Sequence, residues 1–197
     1  LGYQALSNGT STQNTAVGAS SLPQCTGTGN TAIGYQSLFN NTTGSGNIAI
    51  GSGAFRTNTT GSTSIAIGGN ALFSCNATNS NVAIGYTALQ AVVTGIRNTA
   101  IGSQALQSAT GSNNTALGDN AAVSLTTGSN NIVIGSTANV DSGTRSGCIV
   151  LGAAATSHAS ISAAHLAIGS STVPLATTTT VGASGVASAP PAAQPKP

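Results

Sequence analysis

The sequence has almost no charge. Charged residues make up 3% of its 197 positions, and it contains no Glu, Met or Trp. The charged residues are Asp119, Asp141, Arg56, Arg97, Arg145 and Lys196. Because binding to phosphates needs clustered Lys and Arg, a net charge of +2 from scattered bases argues against a nucleic-acid partner. No apolar run approaches the roughly 18 residues of a membrane-spanning helix, so no membrane insertion is predicted.

Groups that could carry chemistry are equally scarce. Catalysis needs titratable side chains that are brought together. The two histidines, His158 and His165, are isolated, and no Ser-His-Asp set can be assembled from residues that each occur once. Neither His165 nor any cysteine has a second ligand at a metal-binding spacing. We therefore predict that the protein is not an enzyme and has no catalytic residue, cofactor or metal site.

What the sequence does contain is a repeat. The pentapeptide Asn30-Thr31-Ala32-Ile33-Gly34 returns along the chain, and its closing glycine recurs every 16 or 17 residues. The repeat glycines are Gly18, Gly34, Gly51, Gly68, Gly85, Gly102, Gly118, Gly135, Gly152 and Gly169, preceded by Gly2. A short fixed period is typical of a solenoid in which each repeat forms one coil. We predict an all-β fold, a parallel β-solenoid (β-roll) of about 11 coils over residues 1–182.

Alternation along the repeated strand predicts its two faces. Residues one and three positions before the glycine are mostly β-branched and share a face, whereas the Asn, Ala and Gly positions share the other. We assign the bulky face to the core, as a continuous aliphatic column. The predicted core column, one position before each glycine, is Ile33, Ile50, Ile67, Ile84, Ile101, Leu117, Ile134, Leu151 and Ile168.

The second half of each repeat has its own pattern. Ala or Ser stands three positions after the glycine and Leu or Phe four positions after it, as at Leu38 and Phe55. A turn rich in Thr and Gly follows, as in residues 41–45. We predict a second short strand whose Leu column closes the core from the opposite wall. Two strands and two turns give a flattened coil, and a three-sided coil is the alternative.

The fourth position before the glycine is usually Asn. Stacked Asn side chains in parallel strands can bond one another, so we predict a structural ladder. The ladder residues are Asn14, Asn30, Asn47, Asn81, Asn98, Asn114 and Asn131. Six Asn-x-Ser/Thr sequons are candidate glycosylation sites if a eukaryotic secretory route makes the protein. They are Asn8, Asn40, Asn41, Asn58, Asn76 and Asn113.

Three cysteines and three tyrosines remain. Cys25 and Cys75 occupy the same position of the repeat three coils apart, about 14 Å at about 4.8 Å per coil, which is beyond disulfide reach. We interpret these two and Cys148 as small residues in loops, with an interchain disulfide as the alternative. Tyr3, Tyr35 and Tyr86 follow their repeat glycines directly but not in consecutive coils, and we interpret them as surface residues rather than a platform for sugars.

Both ends of the chain depart from the pattern. The chain opens on the last two residues of a repeated strand, from which we expect further protein to precede or stack on that end. The spacing breaks after Gly169, and residues 183–197 are rich in Pro and Ala, which predicts an extended tail or linker.

The repeats resemble two families. Asn-Thr-Ala-Ile-Gly is similar to the repeats of trimeric autotransporter adhesin heads. The runs Gly2 to Leu6, Gly34 to Leu38 and Asn40 to Gly51 resemble arrays in tail-fibre-like proteins of phages, bacteria and large viruses. The resemblance covers about residues 1–182 and implies parallel homotrimers. Adhesin heads repeat at a shorter interval, so the outer turn here is longer.

These observations lead to a functional hypothesis. We expect a structural or adhesive fibre shaft of a virion, phage tail or cell-surface filament, extracellular, partnered by copies of itself side by side or end to end, and by cell-surface glycans. The competing hypotheses are an ice-binding solenoid, with Thr15, Thr31, Thr99 and Thr115 in one column, and a carbohydrate-binding surface protein.

Overall fold

A computed structural model describes residues 2–9, 11–76, 80–156 and 165–168, the last range as backbone only. In these residues the chain is an all-β solenoid with no helix, and each coil contributes one short strand to a single parallel sheet. The strands are β1 (Thr15–Val17), β2 (Thr31–Ile33), β3 (Ile48–Ile50), β4 (Ile65–Ile67), β5 (Val82–Ile84), β6 (Thr99–Ile101), β7 (Thr115–Leu117), β8 (Ile132–Ile134), β9 (Cys148–Leu151) and β10 (His165–Ile168). The predicted parallel β-solenoid is thus confirmed.

The strands follow one another through the sheet in chain order and in register. Ile33 pairs with Ile50, and Ile50 pairs with Ile67, so equivalent residues of successive repeats lie one strand apart. The difference between 16- and 17-residue repeats is absorbed in the turn that precedes the next strand. Asn14 and Asn98 donate to turn carbonyls 13 residues on, whereas Asn47 donates to one 14 residues on. The strands therefore stay aligned whatever the length of the repeat.

The core lies on the other side of the sheet from the one we predicted. The inward residue of β1–β9 is buried; it is Ala in β1–β7, as at Ala32 and Ala49, and Val in β8 and β9, and these residues pack with the fully buried Leu column that includes Leu38 and Leu72. The aliphatic column lines up as expected but points outward. The residues that the core prediction placed wrongly are Ile33, Ile50, Ile67, Ile84, Ile101, Leu117, Ile134 and Leu151, which are exposed or half-buried.

Coil width explains this inversion. Large side chains from the turn side, such as Leu72 and Phe55, already occupy the interior. Because interiors are close-packed, only small side chains fit opposite them on the inner face of the sheet. The Ala column fills that space, and the bulkier Ile column has room only outside. The side chain of Ile168 lies outside the described residues.

The predicted second strand is also wrong. The segment after each repeat glycine is a series of turns in which non-glycine residues adopt positive φ, as at Gln36 (53°) and Leu38 (49°). Backbone bonds still connect neighbouring coils there: the Leu38 N–H donates to the Ala54 carbonyl at 3.1 Å. In the described part of the chain, strand-like pairing on this side is limited to one isolated bridge, Asn139 with Thr156. Each coil therefore has a sheet side and a turn side.

Close contact between coils explains the repeat glycine. Gly85 has φ of +140°, and a Cβ placed there would lie 2.3 Å from the carbonyl oxygen of Gly102 in the next coil. Only a residue without a side chain fits both the conformation and the space. The predicted tail, residues 183–197, lies outside the described residues.

Candidate functional site

The outer face of the sheet is an exposed surface that runs along the described strands. We call the outward positions of β1–β9 the sheet face. Its members with 36–44% exposure are Val17, Ile33, Ile48, Ile101, Leu117, Ile132, Ile134 and Ile149. The half-buried aliphatic members are Ile50, Ile65, Ile67, Val82, Ile84 and Leu151, and threonines fill the other positions. At about 4.8 Å per strand the sheet face is about 38 Å long.

The sheet face carries no charge, because its two columns hold only aliphatic and Thr residues. Single exposed apolar residues on a protein surface are ordinary, but a contiguous apolar patch marks an interaction site. The backbone beneath it is fixed by in-register pairing along the whole sheet. The sheet face is therefore a regular, largely apolar strip suited to contact with another surface.

Inside the coil, the predicted Asn ladder is present, with backbone groups as its main partners. Asn98 is fully buried. Its Oδ1 accepts from the Asn114 N–H at 2.9 Å, and its Nδ2 donates to the Gly111 carbonyl at 2.8 Å. The same two bonds recur at Asn30, whose Oδ1 accepts from Asn47 and whose Nδ2 donates to a carbonyl of the next turn. Each ladder Asn thus connects the strand and the turn of the following coil.

The exceptions to the Asn pattern keep part of this arrangement. Ser64 replaces Asn in β4's coil, and its hydroxyl still accepts from the Asn81 N–H at 3.2 Å. At the far end, Cys148 receives the ladder bond through its own N–H, which donates to Asn131 Oδ1 at 2.9 Å. Satisfying buried backbone groups is the function that the ladder geometry supports.

Cys25 and Cys75 lie between strands, as interpreted, but with their side chains in the core, whereas Cys148 is the first residue of β9 and not a loop residue, which corrects our interpretation of it. All three thiols are buried, and Cys25 and Cys75 are fully so. Burial raises the pKa of the Cys25 thiol, against the lowering effect of its bonds with Gly27, Asn41 and Asn30. Because the thiolate is the reactive form, this environment makes the thiol unreactive. An interchain disulfide would require the coil to open.

Two of the six sequons are also in the interior. Asn41 and Asn58 are fully buried, and the Asn58 Nδ2 donates to Asn41 Oδ1 at 2.7 Å and to the Gly61 carbonyl at 2.9 Å. A folded coil cannot present these amides to a glycosylating enzyme, so the prediction for these two sites is wrong. The candidate sites on exposed residues are Asn8, Asn40, Asn76 and Asn113.

The titratable residues are dispersed. Asp141 forms an ion pair with Arg145, and Asp119 accepts a hydrogen bond from Asn120. In the described ranges no three His, Cys, Asp or Glu side chains lie close enough to hold a metal ion. His158 lies outside those ranges, and His165 is described only as part of β10. The absence of catalysis remains a prediction.

The three tyrosines are exposed surface residues. Tyr3, Tyr35 and Tyr86 are 78%, 56% and 60% exposed. The ring of Tyr86 lies against Gly69 of the preceding coil. The three rings stand in separate, non-consecutive coils, so they do not form one platform.

An aromatic and cationic cluster was missed by the sequence analysis. Phe39, Arg56 and Phe73 each lie five positions after a repeat glycine, in three consecutive coils. The guanidinium carbon of Arg56 is 5.6 Å from the centre of the Phe39 ring and 5.5 Å from that of Phe73. Their shared position in the repeat was the signal that could have revealed the stack.

The comparisons with known proteins add no relationship. No protein-family model, curated protein or solved structure matches the chain. None of the described residues forms a helix of the length and hydropathy required to cross a membrane.

Proposed function

We propose that this protein is the structural and adhesive shaft of an extracellular fibre, carried on a virion, a phage tail or a cell surface. Copies of the chain pack side by side through their sheet faces, as a parallel homotrimer. The observation that carries the proposal is the uncharged aliphatic strip along β1–β9, which one chain alone leaves in water.

The magnitude of this effect supports assembly. Fully burying a Val, Leu or Ile side chain is worth about 1.5–3 kcal/mol. Covering the remaining third or so of fourteen such side chains would therefore contribute about 7–14 kcal/mol per chain. Association costs about 4–15 kcal/mol. The sheet face is therefore large enough to hold chains together when every chain of the assembly buries its own sheet face.

Shape and direction support a parallel arrangement. All strands of a chain run in the same direction, and the side chains on the sheet face repeat once per coil. Parallel chains in register would place equivalent aliphatic residues at the same level around a shared symmetry axis, as closed symmetric oligomers do. The choice of three copies rests on the resemblance of the repeats to trimeric adhesin heads and tail fibres.

The test is the mass of the protein in solution, measured by light scattering during gel filtration. We expect three times the chain mass of 18.8 kDa. Ile84→Lys, on the sheet face, should shift the protein to monomer while the circular dichroism of the fold is retained. Val93→Lys is the matched control, because Val93 is 52% exposed but lies outside the strands.

Two outcomes would contradict this proposal. One is that the unaltered chain is a monomer at the concentrations used for gel filtration. The other is equal disruption by both Lys variants, because assembly would then not depend on the sheet face.

Ice binding is the second candidate, since columns that contain Thr and Ile do lie on the outer face of the sheet. Thr31 and Thr99 face outward, but Ile48, Ile65 and Val82 stand between them in the same column. A monomer that lowers the freezing point without lowering the melting point would favour this function over a fibre.

A further inference from the structure

A half-buried cation on the turn side of the coil has aromatic neighbours but no anion. Arg56 lies between the rings of Phe39 and Phe73, and its Nε donates to Gln36 Oε1 at 3.0 Å. A guanidinium within about 6 Å of an aromatic centre is held over the ring by cation–π attraction. The Gln36 bond fixes its rotation as well. The Arg56 side chain is thus held in one orientation.

Its remaining donors are free in the described structure. The terminal nitrogens of Arg56 have no hydrogen-bond partner among the residues that the structure describes. Of the acids, Asp141 is paired with Arg145, and Asp119 lies four coils away, about 19 Å along the stack. A guanidinium offers two parallel N–H groups that match carboxylate and sulfate oxygens. The geometry therefore leaves a fixed, half-buried cationic fork without a counter-charge.

A groove adjoins this cluster at its first ring, Phe39. The cavity measures about 300 Å³ and is lined by Pro23, Gln24, Phe39, Asn40, Thr42 and Thr59. Phe39 belongs to both features, since its ring lines the groove and also packs on Arg56. Gln24 and Asn40 are exposed, and within the described chain their side-chain amides make no hydrogen bond. The groove is thus lined by the apolar side chains of Pro23 and Phe39 and by two amides without partners in the described chain.

We propose that the Arg56 cluster and this groove together bind an acidic sugar. The carboxylate or sulfate of the sugar pairs with the Arg56 guanidinium, the C–H face of its ring lies on Phe39, and its hydroxyls bond to the amides of Gln24 and Asn40. A neutral sugar would leave the cation unpaired, and a simple anion would leave the groove empty. Binding of an acidic sugar satisfies both features at once.

This proposal deepens the adhesive part of the proposed fibre function, and it rests on that function. It names the class of glycan that the shaft would recognise on a surface. Phe39, Arg56 and Phe73 lie outside the strands, so packing through the sheet face leaves them accessible. Phe39, Arg56 and Phe73 belong to three consecutive coils, so the site lies in the first half of the described solenoid.

The experiment compares two sugars that differ in one group. Glucuronic acid and glucose are titrated into the protein, produced without N-glycosylation because Asn40 is a sequon, and binding is followed by ligand-observed NMR. We expect glucuronic acid to bind at least about tenfold more tightly than glucose, equivalent to about 1.4 kcal/mol. Arg56→Gln should remove this preference. Arg97→Gln is the control, because Arg97 is exposed elsewhere on the solenoid.

Further probes separate the sources of the anionic group. Glucose 6-sulfate should replace glucuronic acid, since both present planar or tetrahedral oxygens to the guanidinium. Sodium sulfate should bind at least about tenfold more weakly than glucose 6-sulfate, because it makes no contact with Phe39. Phe39→Leu should weaken both acidic sugars while preserving the thermal midpoint within a few degrees.

The proposal is wrong if glucuronic acid and glucose bind equally, if Arg56→Gln keeps the preference, or if Arg97→Gln loses it to the same extent. It is also wrong if sulfate alone binds as tightly as the sulfated sugar. Solution mass is measured on the same sample. A monomer that still prefers glucuronic acid would refute the assembled shaft and leave the sugar site standing, and an assembled protein without the preference would do the reverse.

Discussion

The buried Asn ladder allows the most direct test of what holds the coils together. We consider Asn98→Ala. The variant keeps the backbone and its bond to Asn81, whose Oδ1 accepts from the Asn98 N–H at 2.9 Å. It removes the carboxamide that joins this coil to the next one. The Asn114 N–H and the Gly111 carbonyl then lose their partners.

The size of the effect follows from those two groups. Leaving a buried donor or acceptor unsatisfied costs about 1–3 kcal/mol. Because Asn98 is fully buried and Asn114 nearly so, water cannot reach the vacated groups without opening the coil. We therefore expect Asn98→Ala to lower the free energy of unfolding by about 2–6 kcal/mol.

Asn98→Ser is the graded control, and the chain itself supplies its precedent. Ser64 occupies the equivalent position and still accepts the N–H bond of the next coil. Only the turn carbonyl should then lack its partner, so the cost should be about 1–3 kcal/mol. The assay is urea unfolding followed by circular dichroism at one protein concentration, since assembly makes the midpoint depend on concentration. Hydrogen exchange at the Asn114 amide reports the local opening.

Two results would refute this reasoning. A loss below about 1 kcal/mol in Asn98→Ala would mean that the ladder bonds contribute no more than solvent would. Equal losses in the Ala and Ser variants would mean that the volume of the side chain matters and the N–H bond does not.

Three further predictions concern the repeat glycine, the core and a buried thiol. Gly85→Ala should lower the free energy of unfolding by about 3 kcal/mol or more, because the added Cβ would meet the Gly102 carbonyl oxygen and the φ at this position disfavours a side chain. Retention of the wild-type urea midpoint would contradict this. Leu72→Ala should lower the free energy of unfolding by about 2–5 kcal/mol, whereas Ile67→Ala, measured by the same assay on unassembled chains, should lower it by at most about 1.5 kcal/mol. The reverse order would place the core on the sheet face. Burial raises the pKa of Cys25 above its ordinary value of 9.0, so the stability that its protonated thiol contributes is complete below pH 9 and falls as the pH rises further. Cys25→Ser should flatten that decline, and iodoacetamide should label Cys25 only in denaturant.

Much of the architecture could be predicted from periodicity. The recurrence of Gly34, Gly51 and Gly68 identified the coil, its length and the in-register stacking of equivalent residues. The Asn column was identified as a structural ladder, because like residues stack on like in a parallel solenoid. A repeating sequence exposes these features, since each coil applies the same local rules.

The second half of the coil could not be predicted in the same way. The recurring Ala or Ser followed by Leu or Phe, as at Ser37 and Leu38, suggested a strand, but Gln36 and Leu38 adopt positive φ. Leu and Gln carry no local signal for positive φ, unlike Gly or Asn. Stacking against the neighbouring coils is what holds them in that conformation, and a single repeat does not contain that information.

The sequence by itself determined that this chain winds into coils stacked through the repeated strand, because a period of 16 or 17 residues and a glycine at every close approach admit little else. Only the tertiary structure decided which face of the strand is inside. Alternation separates Ala32 from Ile33 but does not say which of them is buried. The width of the coil decides that: Leu from the turn side fills the interior, the small residues close over it, and the aliphatic column is left outside, where another surface can cover it.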